Sequence, residues 1–233
     1  MIPKKIHYIW LGEAEKPALV GRCIASWRRV LPDYEVVLWN DSNITCAHPV
    51  YARARRENRH AFASDVARLE ILKAHGGIYM DADVEVRKSL DEFLAHRAFL
   101  GMENGWLAGT ALFGAEAGHP ILDGLLACHD AQDGDFVVNN VVWTRFFEKA
   151  SGAPLTNCER DFPDGVRIYP KEYFVMPPLF CRGGYARHHA MNTWRAPPAR
   201  PLWKRAANAL IGDTLYLHLA HAKAAHAHQQ EMK

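Results

Sequence analysis

The chain changes its hydrophobic period several times, and each change marks an element. Ile6-His7-Tyr8-Ile9-Trp10 is a short apolar run that stops at Leu11-Gly12 and reads as a strand. After Pro17, the residues Val20, Ile24, Trp27 and Leu31 recur at helical spacing, and Pro32-Asp33 stops that helix before a second strand, Tyr34 to Trp39. From Ala61 to His75, Phe62, Val66, Leu69 and Leu72 again follow helical spacing, with Gly76-Gly77 as the stop and a strand from Ile78 to Val86 directly after. Later come a strand at Ala108 to Phe113, a helix after Pro120, a helix from about Phe136 to Ala150 and a short strand at Val166 to Tyr169. This alternation predicts an α/β layer fold with a largely parallel sheet, opening on one βαβ unit if its two strands are neighbours.

No repeat of fixed period is present, and the Pro-rich stretch Arg195 to Pro201 reads as a linker. The expected organisation is one catalytic-size domain over 1–195 and a basic helical tail over 196–233. In that tail Leu202, Trp203, Ala206 and Leu210 share one side of a helix flanked by Arg200, Lys204 and Arg205. Two readings of it stand side by side, a helix docked on the core and a basic amphipathic helix at a membrane surface.

Composition narrows the class. With 233 residues, 49% of them hydrophobic and 23% charged, the chain can bury a single large core, roughly 70–75% of its unfolded surface at this length. A net charge of +2 with scattered Lys and Arg gives no basic stripe, so no nucleic-acid partner is expected. The five cysteines include no C-x-x-C pair and cannot close a complete intrachain set. With no signal-like start and no span-length apolar run, a cytoplasmic protein is expected, peripheral at a membrane if the tail anchors it.

The candidate chemistry lies in Tyr79-Met80-Asp81-Ala82-Asp83-Val84-Glu85. In a continuous strand Tyr79, Asp81, Asp83 and Glu85 project to one face, which lines up three carboxylates whose repulsion calls for a cation or basic groups. Hard oxygen ligands suit Mg²⁺ or Mn²⁺ completed by phosphate and water, whereas the plain alternative is a solvated strand end. Just upstream, Asp65 and Arg68 stand three apart on one helix face. They read either as a surface ion pair or as a pair meeting sugar hydroxyls and phosphate oxygens.

Together these residues resemble a known family. The run Ala63-Ser64-Asp65-x-x-Arg68, then Gly76-Gly77-Ile78-Tyr79-x-Asp81-x-Asp83-Val84, is similar to the DXD sugar transferases. These include capsule and polysaccharide glycosyltransferases and Golgi-type mannosyltransferases, related to the large glucosylating toxins. The start, Ile2-Pro3-Lys4-x-Ile6 to Gly12, and the helix with Cys23-Ile24-x-Ser26-Trp27 before Leu31-Pro32-Asp33-Tyr34 resemble the same family. The similarity resumes more weakly at Phe113-Gly114-Ala115, Gly118-His119-Pro120, Tyr169-Pro170, Tyr173-Phe174 and His188-His189 to Thr193-Trp194.

The resemblance implies a GT-A fold with a nucleotide-sugar at the carboxyl ends of the strands. It implies Ile9 and Trp10 beside the nucleobase, with Trp10 stacking on it. Asp65 and Arg68 would meet the sugar and its phosphate side, with Tyr79 flanking the donor and Asp81 on ribose or metal. Asp83 and His189 would ligate Mn²⁺ or Mg²⁺, with His188 interchangeable for His189. Trp194 would donate its indole N–H to the leaving phosphate; Asn192-Thr193 stands where the family carries a small residue and Ser. Asn139 and Asn140 either meet sugar hydroxyls or cap a helix.

The implied reaction moves a sugar, from a UDP-sugar or alternatively GDP-mannose, to a saccharide or lipid-linked glycan, with retention of anomeric configuration. An aspartyl-phosphate phosphatase wants Thr or Val where Glu85 stands. A glycoside hydrolase wants its two carboxylates across a scissile bond. A binding module of the same fold without turnover is the non-enzymatic alternative.

Overall fold

The computed structural model describes residues 1–130, 136–176 and 184–191. Trp194, its neighbours Asn192 and Thr193, and the 196–233 tail lie outside the described residues.

The expected opening βαβ unit is present. β1 (Lys5–Ile9) pairs in parallel with β2 (Glu35–Trp39), and α1 (Ala18–Val30) crosses between them. α2 (Pro49–Arg56) and α3 (His60–His75) follow, then β3 (Gly77–Met80) on the other side of β1. The Gly76-Gly77 junction is a steric requirement: Gly77 has φ +108°, and a Cβ there would lie 2.8 Å from the Lys5 carbonyl oxygen.

Beyond β3 the chain forms β4 (Val84–Val86), β5 (Ala98–Met102) and β6 (Ala108–Ala115). It continues with α4 (Pro120–Asp130), α5 (Asn139–Ser151), β7 (Arg160–Phe162), β8 (Val166–Tyr169), α6 (Lys171–Phe174) and β9 (Ala186–His188). Seven strands make one sheet in the order β2-β1-β3-β6-β5-β8-β7. β1, β2, β3, β5 and β8 run one way, and β6 and β7 run against them. One core, under α3, α4 and α5, gathers Val66, Leu69, Leu72, Phe113 and Trp143; the other, under α1, gathers Ile6, Trp27, Ile78 and Phe93.

The expected strand from Ile78 to Val86 is corrected to two strands. The chain turns at Asp81, where the Val84 N–H donates to the Asp81 carbonyl at 3.0 Å, and β4 leaves the large sheet to pair with β9. Helix α1 holds β4 in its new course: the Trp27 indole N–H donates to the Val84 carbonyl at 2.6 Å, and Ser26 Oγ accepts from the Val86 N–H at 2.9 Å. The Ser26-Trp27 motif therefore fixes the exit of the carboxylate turn. The turn also separates Glu85 from Asp81 and Asp83, so the expected row of three carboxylates does not form.

A buried histidine links the sheet to acid sensitivity. His7, 1% exposed, meets the Gly76 carbonyl with Nε2 at 2.9 Å, and its Nδ1 accepts from the Trp39 indole N–H at 3.0 Å. Only the neutral ring can serve both, because a protonated Nδ1 would face another donor. Burial, aided by His75 and Lys5 and opposed by the Gly76 carbonyl, lowers its pKa from 6.5 to about 4. Between these values the unfolded chain binds the extra proton and the fold does not, so stability falls as pH drops from 6.5 towards 4. At pH 5 the loss is about 2 kcal/mol, or roughly 4–8 °C in Tm. Thermal melts at pH 7.5 and 5 should show a smaller acid loss in His7→Gln than in the unaltered chain; identical losses would clear His7 of the effect.

Candidate active site

A cleft of about 830 Å³ opens where β1 and β3 end, and it is bounded by the start of α3, the turn after β3, the first turn of α5 and the segment after β9. Ile9, Trp10, Asp65, Arg68, Tyr79, Asp81, Asp83, Asn139 and Asn140 all line it, so the structure brings these expected site residues together.

On one wall sits a buried charge cluster. α3 is packed on several sides, and Arg68 is 4% exposed, so the Asp65–Arg68 pair is no surface ion pair. Arg68 Nη2 lies 2.9 Å from Asp65 Oδ1 and 3.5 Å from Asp81 Oδ1. Other donors also bond inside the protein: Nε donates to the Ser64 carbonyl at 3.1 Å and Nη1 to the Thr110 carbonyl at 2.9 Å. The guanidinium lies 4.4 Å from the Tyr79 ring centre, and the Tyr79 hydroxyl donates to Asp81 Oδ1 at 2.9 Å. Arg68 thus directs most of its donors to its own chain while still lining the cleft. Burial raises the Asp65 carboxyl to about 6 against the pull of Arg68, with Asp81 adding to the rise. Burial raises Asp81 as well, again opposed by Arg68.

The floor is built by the turn and β9. Ligand atoms of Asp81, Asp83 and His188 lie within 4.8 Å of one another, the one such group among the described residues. β9 places His188 opposite Val84, and the His188 N–H donates to the Val175 carbonyl at 3.0 Å. Asp83 grips the segment that follows: its carbonyl accepts from the His189 N–H at 3.1 Å and its Oδ2 from the Met191 N–H at 2.8 Å. Burial would raise the Asp83 carboxyl, but His188 and these bonds overcome it and hold the group near 2. Burial works against the charge of His188 as well, yet Glu103 and Asp83 raise its pKa well above 6.5.

Of the two interchangeable histidines, the structure brings His188, not His189, within reach of Asp81 and Asp83. His189, the first residue past β9, turns its Nε2 to Glu85 Oε2 at 3.2 Å. Asn139 and Asn140 open α5 without capping it: the residue before the helix is Val138, and no side-chain cap bond forms. Asn140 Nδ2 donates to the Ala108 carbonyl at 2.7 Å, while Asn139 Oδ1 lies 3.2 Å from His129 Nε2. Trp10 keeps its ring at the cleft while its indole N–H donates to the Ala14 carbonyl at 2.8 Å. The sequence reading missed Glu103 and Thr110, which also line the cleft. Thr110 acts through its backbone and leaves no residue-type signal.

Residues 17–100, spanning α1 to β5, match the family described as glycosyltransferase sugar-binding region containing DXD motif. Over those residues the chain is similar to the sugar-binding region of the DXD glycosyltransferases. The chain is 32% identical over 127 residues to inositol phosphoceramide mannosyltransferase 1 of Schizosaccharomyces pombe, covering 47% of this chain and 39% of that protein. A second such relative from the same yeast, inositol phosphoceramide mannosyltransferase 3, is 32% identical over 129 residues. The chain spans 39% and 35% of the lengths of these two relatives. An uncharacterized glycosyltransferase of Acanthamoeba polyphaga mimivirus is 29% identical over 221 residues, which is 83% of this chain and 84% of that one. In architecture the PaToxG glycosyltransferase superposes with a TM-score of 0.51 at 20% identity, over 64% of this chain and 69% of its own. The fold is GT-A, as the motif resemblance implies.

Proposed function

We propose that the protein is a metal-dependent glycosyltransferase that moves a sugar from a nucleotide-sugar to a hydroxyl of a saccharide or lipid-linked glycan, with retention at the anomeric carbon. The observation that carries this reading is the convergence of Asp81, Asp83 and His188 on the floor of a cleft at the carboxyl ends of β1 and β3. Two carboxylates and an imidazole within mutual reach fit Mn²⁺ or Mg²⁺. A divalent cation bound there supplies Lewis-acid neutralisation of the donor's diphosphate.

The chain's own residues account for the rest. The Trp10 ring offers a stacking face for the nucleobase, a contact worth about 1–3 kcal/mol per base in single-stranded nucleic acids. Asp65 accepts from the donor sugar's hydroxyls, and Arg68 holds Asp65 and Asp81 in place from behind. Asn140 keeps its remaining amide atoms for the sugar. Trp194, outside the described residues, is the proposed donor to the leaving phosphate. The acceptor oxygen bonds to the anomeric carbon as the bond to the diphosphate breaks, and the departing diphosphate takes the electron pair and the hydroxyl proton.

A UDP-sugar is the proposed donor. GDP-mannose is the second reading, favoured by the names of the two yeast relatives. A lipid-linked acceptor would give the 196–233 segment a purpose at a membrane surface; no helix of the described residues is long and apolar enough to cross one. Release of nucleoside diphosphate from a panel of UDP- and GDP-sugars, with Mn²⁺, Mg²⁺ or EDTA, tests the proposal. Cation-dependent release from one donor is the expected result. Silence with every donor, together with no nucleotide binding by calorimetry, would overturn it.

A further inference from the structure

We infer that Glu103 is a positioning residue for the cation site, holding the His188 ring so that Nε2 faces the two aspartates. The inference rests on the proposed ligand set of Asp81, Asp83 and His188 and adds a residue that acts on the cation through His188.

The two nitrogens of His188 face different carboxylates. Nε2 lies 3.5 Å from Asp83 Oδ1, and Nδ1 lies 3.4 Å from Glu103 Oε1. Nδ1 is buried and has no hydrogen bond within ideal geometry, so the Glu103 carboxylate is the acceptor within its reach. A proton on Nδ1 aimed at Glu103 leaves the Nε2 lone pair directed at the Asp81–Asp83 side. Carboxylates behind ligand histidines fix the tautomer and raise the basicity of the ring in this way.

Glu103 is built to stand there. It directly follows β5, whose pairing with β6 slips in register between Leu100 and Met102, an irregularity of the kind that re-aims a side chain. Its N–H donates to the Leu107 carbonyl at 2.8 Å, and Asn104 Oδ1 accepts from the N–H groups of Trp106 at 3.0 Å and Leu107 at 2.9 Å. The tight turn that results anchors the Glu103 backbone, while its side chain is 19% exposed beside a His188 side chain at 14%. The backbone of Glu103 is therefore fixed where its Oε1 comes within 3.4 Å of the ring.

Two conservative variants of the full chain separate positioning from charge, with Mn²⁺ alone as the probe and free Mn²⁺ read by electron paramagnetic resonance. Glu103→Gln keeps an acceptor oxygen in place and removes the charge; Glu103→Asp keeps the charge and withdraws the acceptor by one methylene. Positioning predicts that Glu103→Asp weakens Mn²⁺ binding about tenfold or more while Glu103→Gln stays within about threefold of the unaltered chain. The reverse order, or equal affinities throughout, overturns the inference. His188→Ala serves as the control. It should weaken binding at least as far and abolish the ¹⁴N modulation of bound Mn²⁺. If His188→Ala binds as tightly as the unaltered chain, or if the unaltered chain binds no Mn²⁺, the ligand set itself fails and the role of Glu103 falls with it. If His188→Ala is weak and Glu103→Asp is not, the ligand set stands and the role of Glu103 alone falls.

Discussion

Alanine in place of Asp83 is expected to lower cation-dependent release of nucleoside diphosphate by about 10²–10³-fold or more, the scale on which one electrostatic contact to a departing group is measured. Two separate losses meet in this variant. One carboxylate of the proposed cation set disappears, and so does the Oδ2 acceptor of the Met191 N–H that ties the segment after β9 to the floor. Asp83→Asn separates them, because the amide oxygen can still accept from Met191 while its charge is gone. Both variants should be inactive at moderate Mn²⁺, with only the alanine showing faster amide exchange at residues 189–191. Full turnover in either one would remove Asp83 from the site.

Removing Arg68 is expected to act on the fold before it acts on the reaction. Its guanidinium sits between Asp65 and Asp81 at 2.9 and 3.5 Å and is 4% exposed, so Arg68→Ala leaves two partly buried carboxylates together without the cation between them. Breaking a buried pair from one side costs about 3–5 kcal/mol, or roughly 6–20 °C in Tm for a chain of this size. Lysine should rescue little of this, since a single ammonium cannot reach Ser64, Thr110 and both aspartates at once. Thermal unfolding decides the matter. An Arg68→Ala protein that melts with the unaltered chain and shows only a raised donor KM would make Arg68 a ligand contact after all.

Much of this was legible because local pattern and global fold agree. The periods of α1 and α3, the Gly-Gly stop and the strands β1, β2, β6 and β8 follow from residue spacing. The DXD turn was located correctly but its shape was not. An alternating run from Ile78 to Val86 satisfies strand periodicity, and the force that bends it, the grip of Trp27 and Ser26 on β4, comes from a helix some sixty positions earlier. The choice between His188 and His189 is likewise a matter of strand register, which two adjacent identical residues cannot reveal. Elements β5 and α2 gave no clean period, and with β5 went the sight of Glu103. The burial of Arg68 was hidden for a related reason: charged residues at helical spacing look solvated until the packing around α3 is known.

The two-stranded pairing of β4 with β9 has a consequence for how the protein comes into being. It joins segments far apart in sequence: the Glu85–His189 contact spans 104 positions and the Asp83–Met191 bond spans 108. A ribosome adding about 5–20 residues per second needs roughly 5 to 20 seconds to cover that distance. During that interval the nascent chain can shape its first βαβ unit, yet the aspartate turn has neither its histidine nor the strand that pins it. The proposed cation set of Asp81, Asp83 and His188 can therefore be complete only late in synthesis, once β9 has docked.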